Sequence, residues 1–276
     1  MTEEGTNSPR PETAGDVAID TGTLGKMMAL LDIVAGSETA PRFTDILRRS
    51  RQPRGTLHRQ LGHLVAEGLL AMRSDHSYEL GIRLLKFASD SWARSEFRIV
   101  AEPHLKALHA ATGETVHLAL LRDAEIIYLD KVESRQAVRM SSQIGKASPA
   151  YCTGVGKACL SALSDEQLKA LLKTMRFQRF TENTLGGPEA LLSEVAEIRR
   201  TGHAFDREEH EVGIRCVAAP IGAADGGLVA GISVTGPAYR VEQPRLEAWA
   251  PLVRAAAGAI MTDMAIRFGP QRGVEP

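Results

Sequence analysis

The sequence predicts an α+β protein: a small N-terminal helical unit with one β-hairpin, a helical linker, and a larger unit of mixed strands and helices. Apolar residues recur at helical spacing before residue 81 and again up to Gly113. Beyond Gly113 the pattern changes to strands and helices in mixed order, and a long Ala-rich helix closes the chain. A length of 276 residues makes two domains the default expectation.

The first helix is predicted between Thr21 or Thr23, either of which is a suitable N-cap, and Gly36, which stops it. Its apolar residues recur at helical spacing: Leu24, Met27, Met28, Leu31 and Val34. Residues 1–20 are rich in Thr, Glu, Gly and Pro and have almost nothing to bury. We therefore expect them to be a disordered tail.

Residues 42–68, RFTDILRRSRQPRGTLHRQLGHLVAEG, contain two apolar helical periods separated by a polar break. Pro53 in the break fits the first turn of a second helix, because its missing N–H has no partner there and its fixed φ suits helix entry. Two short helices joined by a tight turn are predicted. Their apolar positions are Phe43, Ile46 and Leu47, then Leu57, Leu61, Leu64 and Val65.

A β-hairpin is predicted directly after this helix pair. Two short apolar runs, Leu69–Met72 and Tyr78–Leu80, flank the polar turn Ser74–Ser77. Together with the three helices, the hairpin makes residues 21–81 a winged helix-turn-helix domain. This combination is a more specific signal than the charge of the helices alone.

The outward face of the second helix of the pair is predicted to be polar and cationic. Between Pro41 and Gln60 there are six arginines and one acid, Asp45, in a chain whose net charge is only −1. Positive charge on a helix slim enough for the major groove suits phosphate contact and base-edge reading. A solvated arginine face on an ordinary helical hairpin is the alternative. The residues predicted to contact double-stranded DNA are Arg54, Gly55, Thr56, His58, Arg59 and His63.

A linker helix is predicted over residues 82–95, followed by a second helix that ends at Gly113 and is interrupted only if it breaks near Pro103. The linker carries more apolar surface than one exposed helix should show, so we expect a partner subunit to cover it. These apolar residues are Leu84, Leu85, Phe87, Ala88 and Trp92. Residues 96–268 form the larger domain and 269–276 a C-terminal tail.

The larger domain shows strands and helices in mixed order. The predicted strands are TVHLALLR, EIIYLDKVE, QAVRM, HAFD, GIRCVAAPI and LVAGISVTG. The predicted helices are 157–163, 165–172, 188–201 and 241–268, and SSQIGKASPAYCTGVG before the first of them is predicted to be a loop.

Composition excludes several classes of protein. No run approaches the 18 or more apolar residues of a membrane span, and the acidic, polar N-terminus has no signal-peptide pattern, so a soluble cytoplasmic protein is expected. The three cysteines, Cys152, Cys159 and Cys216, make neither a disulfide framework nor a four-ligand zinc set. We expect no metal and no cofactor.

Taken in order, several motifs resemble the IclR-type bacterial transcriptional regulators. The resemblance runs from about Thr23 to Arg267. Besides the helix pair, it is carried by SYELG at 77–81, TGETVHLALL at 112–121, GVGKACL at 154–160, HAFDREEHEVGIRCVAAPI at 203–221 and GISVTGP at 231–237. It implies a winged helix-turn-helix, a linker helix that dimerises, and a GAF-like domain that binds a small effector and changes operator affinity. It also implies a homodimer or a homotetramer.

The DNA-reading segment departs from the family pattern at three positions. Arg51 stands where similar proteins usually have the turn glycine, Gln52 where an apolar residue is usual, and Gly55 where serine is usual. Loss of the turn glycine predicts either a left-handed arginine or a different turn. Because Gly55 has no hydroxyl for a phosphate, the family's operator sequence does not transfer.

An effector site is predicted in the larger domain. Gly154-Val155-Gly156 precedes the 157–163 helix, where free N–H groups and the helix dipole favour an anion, although a plain tight turn explains the glycines equally well. Ser233 and Thr235 are two apart and share one strand face. The resemblance places a pocket among Gly154, Val155, Asp206, Ile214, Cys216, Ser233 and Thr235, with Met140 as a further wall. The expected ligand is a small organic acid, such as a keto, sugar or aromatic acid, with Asp206 contacting a ligand hydroxyl.

Other interpretations stay open at this point. Cys216 is as well explained as a core thiol, and Thr235 as a residue that satisfies backbone. The acidic run from Asp206 to Glu211 suits a solvated loop paired with Arg207 and Arg215 better than a metal site. A hydrolase using Cys216 or Ser233 is the competing enzyme hypothesis, but GISVTG is not GxSxG and no histidine is tied to either nucleophile by spacing. A dimerisation scaffold that binds no ligand is the third possibility.

Overall fold

The computed structural model describes residues 22–137, 142–222 and 228–268. The chain divides into two compact units between Ala93 and Arg94. The predicted tails, 1–20 and 269–276, lie outside the described residues. The predicted domain boundaries at residues 81 and 95 stay predictions.

The first unit is a winged helix-turn-helix, as predicted. Its apolar core joins the first three helices to the hairpin through residues that include Leu30, Ile46, Leu57, Leu61, Leu64 and Leu70, all at most 1% exposed. In β1 and β2 Leu70 pairs with Leu80 and Met72 with Tyr78, in antiparallel register. The elements are α1 (Gly22–Ala35), α2 (Phe43–Ser50), α3 (Arg54–Ala66), β1 (Leu70–Met72), β2 (Tyr78–Leu80) and α4 (Ile82–Ala93).

The turn between α2 and α3 keeps the expected shape without the expected glycine. Arg51 caps α2 in the left-handed conformation, with φ 52° and ψ 25°, so the first of the two predicted alternatives holds. Pro53 is the N-cap of α3 and so lies one residue before the first turn, whereas the sequence predicts it inside that turn. At the start of α1, Thr23 lies inside the helix and not at its cap, and Thr21 lies outside the described residues.

The second unit contains, in its described residues, an antiparallel sheet of six strands in the order β5-β4-β3-β8-β7-β6. Its strands are β3 (Thr115–Arg122), β4 (Glu125–Val132), β5 (Ala147–Pro149), β6 (Ala204–Arg207), β7 (Ile214–Ile221) and β8 (Ala230–Pro237). Its helices are α5 (Glu96–Thr112), α6 (Gly154–Ser161), α7 (Asp165–Leu172), α8 (Pro188–Thr201) and α9 (Gln243–Phe268), with a 3₁₀ turn at Ala150–Cys152.

Helices cover both faces of this sheet. On one face Ile232 and Val234 of β8 pack in a core with α5 and α9, to which Leu105 and Val253 belong. On the other face Val155 belongs to a second core, which α6 and α8 build against the sheet. Alternation along β8 therefore turns Ser233 and Thr235 toward the α6 side, as predicted. The α+β fold class is confirmed.

Three details of this unit differ from the sequence-based predictions. Helix α6 begins at Gly154 and not at residue 157, so its glycines lie inside the first turn. The loop before α6 contains β5 and the 3₁₀ turn. Of the predicted strand QAVRM, Gln136 and Ala137 form a bend, and the remaining residues lie outside the described part. Pro103 lies inside α5 and does not interrupt it, so the predicted helix up to Gly113 is continuous.

No helix within the described ranges is long and apolar enough to cross a membrane.

We expect Arg51→Gly to raise the free energy of local unfolding of the first unit by about 0.5–1 kcal/mol, because glycine adopts a positive φ without the Cβ conflict of an L-residue. Hydrogen exchange of the α3 amides in the full chain measures this quantity. Arg48→Gly, inside α2, is the matched control and should lower it by about 1 kcal/mol. A loss of stability in both variants would contradict the interpretation of Arg51 as a strained residue.

Candidate functional site

Helix α3 has the two faces that the sequence predicts. Leu57, Leu61 and Leu64 are buried, whereas five of the six residues predicted to contact DNA are exposed. The exposed residues are Arg54, Gly55, His58, Arg59 and His63, and Thr56 is half-buried.

Phe43 of α2 organises the N-terminal end of that face. The Arg54 guanidinium lies 5.4 Å from the centre of the Phe43 ring, and the His58 ring lies 6.2 Å from it, centre to centre. The one acid of this segment, Asp45, accepts the Arg42 N–H and lies 3.4 Å from Arg48. In the described part of the chain no carboxylate lies within ion-pair distance of Arg54 or Arg59, so both charges remain available to a polyanion.

A cavity of about 100 Å³ lies in the second unit, between the sheet and the N-terminus of α6. Its walls contain all seven of the predicted pocket residues that the structure describes: Gly154, Val155, Asp206, Ile214, Cys216, Ser233 and Thr235. Met140, the eighth, lies outside the described residues. Eight further residues line it that the sequence did not single out: His117, Tyr128, Ser142, Lys146, Ser148, Thr153, His210 and Glu211.

The first turn of α6 presents backbone amides to this cavity. Thr153 caps the helix, and its Oγ1 accepts the Gly156 N–H at 3.2 Å. The N–H groups of Gly154 and Val155 precede the first intrahelical hydrogen bond, so no carbonyl of the helix occupies them. This arrangement favours an anion at the helix terminus.

Glycine at position 154 is required by close packing. An added Cβ there would lie 2.3 Å from Cys216 Sγ of β7 and 3.3 Å from the Asp206 nitrogen of β6. The helix terminus therefore touches two neighbouring strands directly. Cys216 and Asp206 are themselves paired across the β6–β7 ladder.

Asp206 is a buried carboxyl, only 6% exposed. Its Oδ1 accepts the Glu209 N–H at 2.8 Å. Burial raises the pKa of Asp206 from 3.8 to about 7, and the Glu209 carboxylate acts in the same direction. Near neutral pH this group is therefore distributed between its charged and its neutral form.

Lys157 is a fully buried cation behind the cavity. Its Nζ lies 2.5 Å from Glu209 Oε1 and 2.9 Å from Glu194 Oε1 of α8. No sequence pattern indicates this cluster, since the acidic run is predicted to be solvated or paired with Arg207 and Arg215. The pairing of Glu208 with Arg215, at 2.8 Å, agrees with that expectation. The burial of Glu209 does not.

Arg207 pairs differently from the expectation as well, because its guanidinium stacks on the Phe205 ring, 4.8 Å from the ring centre.

No group of three or more His, Cys, Asp or Glu side chains among the described residues is arranged to hold a metal ion.

His117 is the polar pocket residue that sequence reasoning missed most clearly. It lies on β3 opposite Ser233 of β8, with Nε2 2.7 Å from Ser142 Oγ and Nδ1 3.4 Å from Thr235 Oγ1. Burial lowers the pKa of His117 to about 4, and Lys131 contributes in the same direction. The imidazole is therefore neutral at pH 7 and offers one donor and one acceptor.

The cavity thiol does not have the properties of an activated nucleophile. Burial raises the pKa of Cys216 well above its usual value, and the nearby Asp206 raises it further. Burial likewise raises the pKa of Cys152 to about 12. Because the thiolate is the reactive form, these buried thiols are poorly suited to covalent catalysis at neutral pH.

An exposed cationic recognition helix on a winged helix-turn-helix, followed in sequence by a domain with a small polar cavity, defines a ligand-responsive DNA-binding regulator. Comparisons with known proteins agree. Residues 23–73 match the family described as "IclR helix-turn-helix domain", and residues 91–262 match "Bacterial transcriptional regulator IclR C-terminal". The chain belongs to the IclR family of transcriptional regulators.

Individual relatives cover almost the whole chain. The HTH-type transcriptional regulator BhcR of Paracoccus denitrificans is 35% identical over 94% of each chain. The transcriptional repressor IclR of Escherichia coli is 31% identical over 91% of each. The crystal structure of an IclR homologue from Microbacterium hydrocarbonoxydans, complexed with 4-hydroxybenzoate, is 26% identical, covers 89% of this chain and 100% of its own, and superposes with a TM-score of 0.71.

We expect Gly154→Ala to lower the free energy of unfolding by about 1–3 kcal/mol, because the new Cβ collides with Cys216 Sγ. Urea unfolding of the single variants and of the Gly154→Ala/Cys216→Ala double variant measures the coupling, and the double variant should recover most of the loss. Gly258→Ala in α9, where an added Cβ meets nothing within 4 Å, is the control and should not destabilise. Strict additivity of the two single changes would contradict the proposed contact.

Proposed function

We propose that this protein binds operator DNA through α3 and that a small organic acid, bound in the cavity of the second unit, modulates that affinity to control a catabolic operon. The observation that carries the effector part is the convergence of first-turn amides, hydroxyls and one carboxyl on a single cavity. The proposed ligand contacts are Gly154, Val155, Asp206, Ile214, Cys216, Ser233 and Thr235, with Met140 kept as a further wall.

The proposed DNA contacts divide by chemistry. Arg54 and Arg59, which have no ion-pair partner among the described residues, bring positive charge to phosphates or to the base edges of guanine. Thr56 and the two histidines, His58 and His63, offer shorter polar groups on the same face. Gly55 contributes only its backbone, which lets the helix approach the duplex closely.

A homodimer is the proposed DNA-binding form, because winged helix-turn-helix dimers read two half-sites about one helical turn apart. Helix α4 supports this proposal: Ile82, Leu85 and Phe87 are 77%, 65% and 51% exposed. So much apolar surface on one helix is typical of an interface that a second subunit covers. We further propose that two such dimers of this chain assemble into a tetramer. Because operator DNA lies in the bacterial cytoplasm, we propose that the protein acts there.

The size of the cavity favours a compact aliphatic acid. A cavity of about 100 Å³ is smaller than the roughly 150 Å³ that accommodates benzene in a protein core. The 4-hydroxybenzoate named for the Microbacterium homologue is larger than benzene. We therefore propose an acid of a few carbon atoms, such as a short keto or hydroxy acid, for this chain.

The polar groups of the cavity suit that ligand. We propose that the amides of Gly154 and Val155 bind its carboxylate, and the hydroxyls of Ser233 and Thr235 line the same cavity. Neutral His117 adds no charge, and its ring nitrogens lie beside the hydroxyls of Ser142 and Thr235. Several hydrogen-bonding groups that converge on one cavity orient a small polar ligand.

We expect Arg59→Ala to weaken operator binding and to reduce the salt dependence of log K by about one counterion, because one phosphate contact is lost. Mobility-shift titrations with genomic DNA fragments across a salt series measure both quantities. Arg122→Ala removes the same charge from the second unit and is the control. Unchanged binding and slope in Arg59→Ala would remove α3 as the DNA-reading helix.

A bound acid at a hundred times its dissociation constant should stabilise the protein by about 2.7 kcal/mol. A thermal-shift screen of short keto and hydroxy acids tests this expectation. Ser233→Ala should abolish any shift, because it removes a hydroxyl of the cavity wall, whereas Ser161→Ala at the far end of α6 should keep it. A positive shift that Ser233→Ala leaves intact would place the ligand elsewhere.

A further inference from the structure

The Asp206 carboxyl is a buried acid in a cavity that is itself proposed to bind an acid. It is only 6% exposed and forms part of the cavity wall. The first turn of α6 packs directly on it, since an added Cβ on Gly154 would lie 3.4 Å from Asp206 Cβ. A carboxylate held by the amides of that turn would therefore bring a second negative charge beside this one.

The charges behind Asp206 compensate it only in part, because Lys157 lowers the pKa of Asp206 less than burial and Glu209 raise it. Lys157, the buried cation of the cluster, already lies within 3 Å of two carboxylates, Glu209 at 2.5 Å and Glu194 at 2.9 Å. Glu209 Oε2 is buried and has no hydrogen-bond partner among the described residues. A cluster that already holds more negative than positive charge makes a further buried anion costly.

The other titratable groups around Asp206 leave this imbalance unchanged. Tyr128, Cys152 and Cys216 are held neutral, because burial raises the pKa of each. Burial lowers the pKa of His210. The charges on Lys146 and Glu211 at the cavity mouth are exposed to solvent. The groups that interact with Asp206 are thus Tyr128 of β4, Cys152 of the 3₁₀ turn, Lys157 of α6, Cys216 of β7, and Glu209 and His210 of the loop after β6. Glu194 of α8 pairs with Lys157 behind them, and His117, Lys146 and Glu211 also lie in the cavity wall.

We propose that the cavity takes up its acid together with one proton, which the Asp206 carboxyl binds from solvent and donates as a hydrogen bond to the bound carboxylate. The proposal rests on the effector function proposed above. No covalent bond changes other than the O–H bond that the proton forms with Asp206. While Oδ1 accepts the Glu209 N–H, the second carboxyl oxygen carries the proton toward the ligand. Asp206 is then the residue that selects a carboxylate and makes its binding depend on pH.

The acidity of Asp206 agrees with this geometry. With a pKa of about 7, Asp206 is half protonated near neutral pH in the free protein. A neighbouring anion raises that pKa further when it binds. Because the raised pKa belongs to the bound state, affinity is fully present below about pH 7 and falls as pH rises above it, approaching tenfold per pH unit.

Isothermal titration with glycolate, pyruvate and acetate as probes tests the proposal. At pH 8, titrations in phosphate and in Tris, whose ionisation enthalpies differ, give the number of protons taken up per site. We expect about 0.9 protons per site at pH 8 and a dissociation constant that rises about eightfold between pH 7.5 and pH 8.5. Binding with zero proton uptake would overturn the proposal and leave the effector function standing.

Asp206→Asn separates this carboxyl from the rest of the cavity. Its amide donates a hydrogen bond at every pH, so it should bind the same acid with no proton uptake and no slope, while Asp263→Asn on α9 should retain the wild-type slope. A slope that persists in Asp206→Asn and disappears in His210→Gln would assign the proton to His210 and overturn the proposal. If Asp206→Asn does not fold, the wild-type proton count decides. Failure of every probe to bind at pH 6 would overturn the effector function itself.

Discussion

The close packing of the first turn of α6 against β6 and β7 is the constraint on which the second unit depends. Gly154 leaves room for Cys216, and an added Cβ on Gly156 would lie 2.4 Å from the Ala150 carbonyl oxygen. Thr153 caps the start of the helix, and the Lys157 side chain binds carboxylates of two other segments, Glu194 and Glu209. One turn of helix therefore lines the cavity with the amides that precede its first intrahelical hydrogen bond, and it holds the loop whose Glu209 N–H binds Asp206.

Charge is distributed in opposite ways in the two units. On α3 the guanidinium groups of Arg54 and Arg59 are exposed, and no carboxylate of the described residues lies within ion-pair distance of them, which suits a polyanion that brings its own counter-charge. In the second unit the buried cation Lys157 lies behind the cavity wall and is already paired with two carboxylates, so it is less accessible to a ligand than the amides and hydroxyls of the wall.

Sequence periodicity predicted much of the fold because most elements here are locally encoded. The bounds of α7 and α8 were predicted to the residue, since Ser164 caps one and Pro188 begins the other. Alternation placed Ser233 and Thr235 on one face. The prediction that α6 begins at residue 157 was wrong, because the capping residue is Thr153 and the glycines that follow it are helical. β5 was missed because a strand of three residues that ends in a proline carries no periodic signal.

The sequence by itself determined most of the segments that become helices and strands, and the cationic face of α3. Through the family resemblance it also indicated the seven described residues that line the cavity. Only the tertiary structure decided which distant side chains meet. Strand order sets β3 beside β8 and so brings His117 opposite Ser233, and helix packing brings Lys157 to Glu209 across 52 residues of chain. Such contacts form because a buried charge or hydroxyl finds its hydrogen-bond partner only when the sheet and its helices have packed together. No local sequence pattern predicts them.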